Sequence, residues 1–292
     1  MKHAMKLSAL TLACGVVHTA VLADTTIEVK NVGFATPESA EYYAAEDVIL
    51  VSNINGHPAE KDRNGFISRL SPDGTVLDLK WIDGENDGVI LNAPKGMTII
   101  GKRLFVTDLD QVHIFQLPEG GSLGSVNISG SSFLNGITPL PDGSVLVTDT
   151  GVKADFSPAG NDAVYQVWSD RTYRKLMSLP NIGGPNGIWA DDAGITLVTF
   201  GGGQVFKYDL TGKPLAEPVD LAKGLDGMVG LGDQRLLITS WGASAIYEFS
   251  GGQSKVVITD VDAPADIDID SKRNRLLVPL FKQDKLLLIP LE

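Results

Sequence analysis

The sequence predicts an all-β fold, a six-bladed β-propeller, and three observations carry that prediction. A short phrase recurs six times along the 292 residues. Each copy is followed, about ten residues on, by an apolar strand that ends in a small polar pair or its relic. A further apolar segment follows each of those strands. A repeat of roughly 40 residues built only of strands and turns is the signature of a propeller.

The phrase reads Pro37-Glu38-Ser39-Ala40, Pro94-Lys95-Gly96-Met97, Leu134-Asn135-Gly136-Ile137, Pro185-Asn186-Gly187-Ile188, Leu225-Asp226-Gly227-Met228 and Pro264-Ala265-Asp266-Ile267. The strands with polar ends include Leu50-Val51-Ser52-Asn53, Phe105-Val106-Thr107-Asp108 and Leu146-Val147-Thr148-Asp149, with weaker copies at Leu197, Leu237 and Leu277. Four strands per blade are expected. The blades fall over 36–82, 92–128, 133–179, 184–221, 224–259 and 262–291. The last blade runs out of chain after three strands. The alternating segment Thr26 to Val32 supplies the fourth, closing the ring and hiding two sheet edges. Glycine in four of the phrases fits a crowded channel where backbones approach closely. The repeat is therefore structural, and function is expected where the copies differ.

The first 23 residues read as a signal peptide, followed by a single propeller domain over 24–292. Lys2 and Lys6 give a positive start, Leu7 to Val17 an apolar core, and Val21-Leu22-Ala23 a small-residue cleavage site. A lipoprotein anchor at Cys14 is the weighed alternative. Cleavage after Ala23 leaves no cysteine, which suits a periplasmic or secreted protein. No other apolar run is long enough to span a membrane, so no membrane partner is expected after cleavage. The net charge of −12 repels phosphate backbones and argues against nucleic acid.

The copies differ most just before the repeated glycine. That position holds Glu38, Lys95, Asn135, Asn186, Asp226 and Ala265. In a propeller these six positions surround one mouth of the central channel. Four of them carry oxygen donors, and inward polar groups need partners or an ion. Two readings stay open on the pattern alone: a divalent-cation site, or a hydrogen-bonded cap on the channel. Two carboxylates and two amides are a hard set that favours Ca²⁺, with Mg²⁺, Mn²⁺ or Zn²⁺ as alternatives. The phrases contain none of the Cys or His of a structural zinc site.

The four donors, in these blades and this order, resemble the SMP-30/gluconolactonase superfamily, with paraoxonases and strictosidine synthase-like proteins as more distant relatives. The resemblance rests on Glu38, Asn135, Pro185-Asn186-Gly187 and Leu225-Asp226-Gly227, and spans Gly33 to the C-terminus. It implies a divalent-metal site at Glu38, Asn135, Asn186 and Asp226. It also implies a catalytic acid/base role for Asp226 in lactone hydrolysis. Two departures stand out. Sugar-lactone hydrolases of the family tend to carry Arg where this chain has Phe133, and Glu-Gly-Pro where it has Glu38-Ser39-Ala40. A more apolar lactone or ester suits Phe133.

Around the same mouth, His57, Lys95, Phe133 and Trp241 are candidate substrate-pocket residues, Lys95 as a group that could bind a carboxylate. His57 reads either as a base or as a solvated loop residue, and Trp241 as a stacking platform or as packing. Asp108 and Asp149 close their strands and are expected to bond local backbone. The long connections 53–64 and 150–162 are expected to wall or cover the pocket. The expected function is metal-dependent hydrolysis of a lactone or related ester, with a small-molecule substrate. The alternative is a non-catalytic secreted propeller of NHL type that binds a small ligand or a protein partner.

Overall fold

The computed structural model describes residues 25–291, so the signal-peptide assignment lies outside the described residues. The described chain contains twenty-four strands and no α-helix. They form six four-stranded antiparallel sheets. The innermost strands are β2 (Pro37–Tyr43), β6 (Pro94–Ile100), β10 (Leu134–Pro139), β14 (Pro185–Asp191), β18 (Leu225–Gly232) and β22 (Asp268–Asp270). The ring closes as the sequence suggests. Strand β1 (Ile27–Lys30) pairs with β24 (Lys285–Pro290), Ile27 opposite Leu288 and Lys30 opposite Lys285. The first strand thus completes the sixth blade and covers its edge.

Second strands such as β3 (Val48–Asn53) and β11 (Val145–Asp149) are buried along their whole length, because each blade has a neighbour on both faces. That is why they read as continuous apolar runs. Outer strands such as β21 (Gln253–Thr259) are largely exposed. The apolar core lies between blades rather than within one. Phe105 and Ile114 of the second blade pack with Val147 and Tyr165 of the third.

In five of the six blades the recurring phrase is the start of the inner strand rather than the turn before it, and there it carries a β-bulge; in the sixth, Pro264-Ala265-Asp266-Ile267 precedes the inner strand. The pairing register slips between Pro37 and Ser39, Pro94 and Met97, Leu134 and Ile137, Pro185 and Ile188, and Leu225 and Met228. A bulge leaves a residue out of the ladder and re-aims its side chain. The unpaired position holds Glu38, Lys95, Asn135, Asn186 or Asp226. The glycine that follows has a specific cause. A Cβ on Gly136 would lie 2.4 Å from the Asn186 carbonyl oxygen, and one on Gly187 2.2 Å from that of Asp226. The bulges of blades 3, 4 and 5 thus press against the glycines of blades 2, 3 and 4. Between blades 6 and 1, where both copies lack glycine, a direct backbone pairing takes over: Asp266 N donates to Glu38 O at 2.9 Å.

Candidate active site

All five polar bulge residues, Glu38, Lys95, Asn135, Asn186 and Asp226, line one cavity of about 690 Å³. A second ring surrounds them. It comes, in five of the six blades, from the position just after the pair that closes the second strand, or its relic: Ile54, Thr150, Gly201, Trp241 and Phe281. The inner ring is polar and the outer ring mainly apolar, so the cavity has a polar floor and greasy walls.

Small polar side chains fix the floor. Ser52 Oγ donates to Lys95 O at 2.9 Å, Thr107 Oγ1 to Asn135 O at 2.5 Å, and Thr148 Oγ1 to Asn186 O at 2.6 Å. Each hydroxyl belongs to the blade before the carbonyl it holds. Asp108 accepts from the Asn92 and Ala93 N–H groups at 2.8 and 2.9 Å, and Asp149 from Phe133 N at 2.9 Å. The terminal polar pair is thus a pair of straps, one within the blade and one to the next. Asn135 donates its amide nitrogen to Thr150 Oγ1 at 3.2 Å, leaving its carbonyl oxygen as the free end.

The electrostatics are strained around two carboxylates. Burial, then the charges of Asp226 and Asp266, push the Glu38 carboxyl well above the ordinary range, with Lys95 opposing. Burial and Asp266 push Asp226 up as well, with the Trp241 indole and the Asn186 amide pulling the other way. Neither neighbour satisfies Asp226 fully. Asp226 Oδ1, Glu38 Oε2 and Trp241 Nε1 are all buried without a hydrogen-bond partner. Burial pulls the Lys95 ammonium down to about 8, against the pull of Asp108 and Glu38. Two adjacent buried carboxylates with orphaned oxygens are what a cation would relieve. Among the described residues no group of three His, Cys, Asp or Glu could hold a metal alone, so the amide oxygens of Asn135 and Asn186 have to complete the set. The residues present fit a hard divalent cation on those terms.

Phe133 and Trp241 line the cavity with the four donors and Lys95. His57 does not. It is exposed and lies against Phe156, ring centroids 5.3 Å apart, one side chain removed from the lining. The solvated-loop reading of His57 is the one this placement favours. Both long connections reach the site, Pro58 from one and Val152, Phe156 and Pro158 from the other. Phe200, Trp241 and Phe281 form an aromatic arc, with centroid separations of 5.3 and 4.8 Å. Phe200 and Phe281 escaped the sequence reading. Aligning the repeats one position beyond the polar pair would have found Phe281 beside Trp241.

Solved structures share this architecture. A gluconolactonase from Xanthomonas campestris superposes with a TM-score of 0.67 at 17% identity, over 91% of this chain and 89% of that one. Virginiamycin B lyase from Staphylococcus aureus gives 0.65 at 14%, over 92% and 99%. A chain of a nidogen/laminin complex gives 0.61 at 17%, over 76% and 80%. No protein-family model matches the sequence, and no curated protein matches it. The chain is a six-bladed propeller. Propellers of this form include a gluconolactonase, a lyase and a chain of a nidogen/laminin complex, so the fold leaves the chemistry to the site.

Proposed function

We propose that this protein is a divalent-metal-dependent hydrolase of a lactone or related ester. One observation carries the reading. Glu38 and Asp226, from blades 1 and 5, line a single cavity beside Asn135 and Asn186, and each keeps a buried oxygen without a partner. Glu38, Asn135, Asn186 and Asp226 would hold the ion, with Ca²⁺ the favoured metal for an all-oxygen set. When bound, a divalent cation polarises a carbonyl oxygen and acidifies water.

The chain's own residues supply the rest. Asp226 is the general base: it is a buried carboxylate of the ring whose Oδ1 is left without a partner. The Trp241 and Asn186 side chains beside it favour its charged form. Phe133, Phe200, Trp241 and Phe281 hold the apolar body of the substrate and exclude bulk water.

The test is hydrolysis across a panel of lactones and aryl esters, with Ca²⁺ and with EDTA, alongside calorimetric Ca²⁺ binding. Turnover that needs the ion, and its loss by at least about 100-fold in Asp226→Asn, support the reading. Absence of turnover on every substrate, with ligand binding retained, would leave the non-catalytic binding propeller in its place.

A further inference from the structure

Lys95 is among the most completely enclosed large side chains of the protein, 1% exposed, yet it lines the cavity. A lysine ammonium carries three N–H donors. Within the chain Nζ finds one acceptor, Ala93 O at 2.9 Å. Its other close neighbour is the face of Phe133, 4.2 Å from ring centroid to Nζ. Among the described residues no carboxylate pairs with it at ion-pair distance, although fourteen such pairs form elsewhere. Asp108, the nearest acid on its own blade, already accepts from Asn92, Ala93 and His113. A buried ammonium without a counter-ion is costly unless something supplies the charge.

We infer that Lys95 is an anion anchor, and that the cavity takes apolar molecules carrying a single carboxylate. The apolar part lies among Phe133, Phe156, Phe200, Trp241 and Phe281, and the carboxylate takes the two free N–H groups of Lys95. Phe133 holds the ammonium from the other side by a cation–π contact. This rests on the cavity being the ligand site and on Glu38 and Asp226 being neutralised by the bound ion; it does not require hydrolysis. It narrows the substrate class to acid-bearing apolar lactones or esters.

The experiment is calorimetric titration with 4-phenylbutanoate and with its neutral amide, in Ca²⁺ and in EDTA. In the wild type the acid should bind about 10-fold more tightly than the amide, the size expected of one charge-assisted contact. Lys95→Met should abolish that preference and leave amide affinity within about 2-fold, since the apolar walls are untouched. Equal binding of acid and amide by the wild type overturns the inference. So does a preference that survives in Lys95→Met, because the carboxylate would then sit on the ion. Should Lys95→Met fail to fold, Lys95→Gln, which keeps a polar donor but no charge, takes its place: it should lose the preference in Ca²⁺, and a preference that survives in it overturns the inference. None of these readouts is turnover, so the hydrolase reading stands or falls separately.

Discussion

Thr148 of the third blade donates its hydroxyl to the carbonyl of Asn186 in the fourth, at 2.6 Å, and accepts from Gly136 N of its own blade at 2.9 Å. One small side chain therefore ties two bulges together. Ser52 and Thr239 make the same double contact, Ser52 with Ser39 N and Lys95 O, Thr239 with Gly227 N and Ala265 O. The positions of the cavity-floor residues are set by the neighbouring blade as much as by their own. Altering a strap should move the site without touching it.

Thr148→Val keeps the shape and removes the hydroxyl. It leaves a buried N–H and a buried carbonyl short of a partner, at a cost of about 1–3 kcal/mol. The expected outcome is a lower midpoint in urea at unchanged m-value, together with weaker Ca²⁺ binding by calorimetry. A destabilised variant with unchanged Ca²⁺ affinity would show that the strap serves stability alone.

Gly187→Ala places a methyl 2.2 Å from the Asp226 carbonyl oxygen, a backbone atom that cannot swing aside. Overpacking of this kind costs about 1–3 kcal/mol or more. Gly121 lies on an outer strand, where an added Cβ would meet nothing within 4 Å, and it serves as the control. Its alanine variant should stay within about 0.5 kcal/mol of the wild type. Equal melting temperatures for the two variants would remove the packing explanation of the repeated glycine.

Much of this was legible in the repeats. Blade number, closure by the first strand and the shared placement of Glu38, Asn135, Asn186 and Asp226 follow from aligning six copies. The bulge was not legible, because a one-residue slip changes no residue type; it shows only as the fixed glycine after it. The aromatic arc was hidden for another reason. Phe200 stands where Asn53, Asp108, Asp149 and Ser240 stand in four other blades, and in a sequence it reads as a decayed copy of them. His57 illustrates the opposite case. Its loop does reach the pocket, but through Pro58, and a loop's path cannot be read from spacing.

Asp268 gives a pH prediction. Burial, then the charge of Asp270, pushes its carboxyl up to about 6, against hydrogen bonds from Tyr42 N and Ile269 N. Asp266 and Glu41 are further acids coupled to it. An acid held above its unfolded value, about 3.9, disfavours the ionised native state. Its penalty is absent below about pH 4 and complete above about pH 6. That difference corresponds to about 3 kcal/mol, and partial solvent contact should reduce this to roughly half. Asp268→Asn can still accept from Tyr42 N, which lies 2.8 Å from Oδ2 in the wild type. The variant should therefore gain stability at pH 8 and gain little at pH 4. A gain that is the same at both values would point to packing rather than charge.

Asp108 carries the opposite sign. Burial alone would raise its carboxyl. The His113 hydrogen bond and charge, the charge of Lys95 and the Asn92 N–H outweigh burial, and the group sits below its ordinary value. Its oxygens accept from Asn92 N, Asn92 Nδ2, Ala93 N and His113 Nε2 at 2.8, 3.1, 2.9 and 3.0 Å. The Ala93 carbonyl in turn receives the Lys95 ammonium. Asp108→Ala thus strips four donors of their acceptor and loosens the segment on which Lys95 rests. Breaking such a buried network should cost about 3–5 kcal/mol at neutral pH. A carboxylate held below its unfolded pKa stabilises fully above that value, about 3.9, and loses its effect as pH falls through the native one. The difference between wild type and variant in urea unfolding should therefore shrink on acidification below about pH 4. Because the damage reaches Lys95 through Ala93, the acid-over-amide preference of the cavity should weaken in the same variant. A variant that loses stability but keeps the full preference would show that Lys95 is held in place without this support.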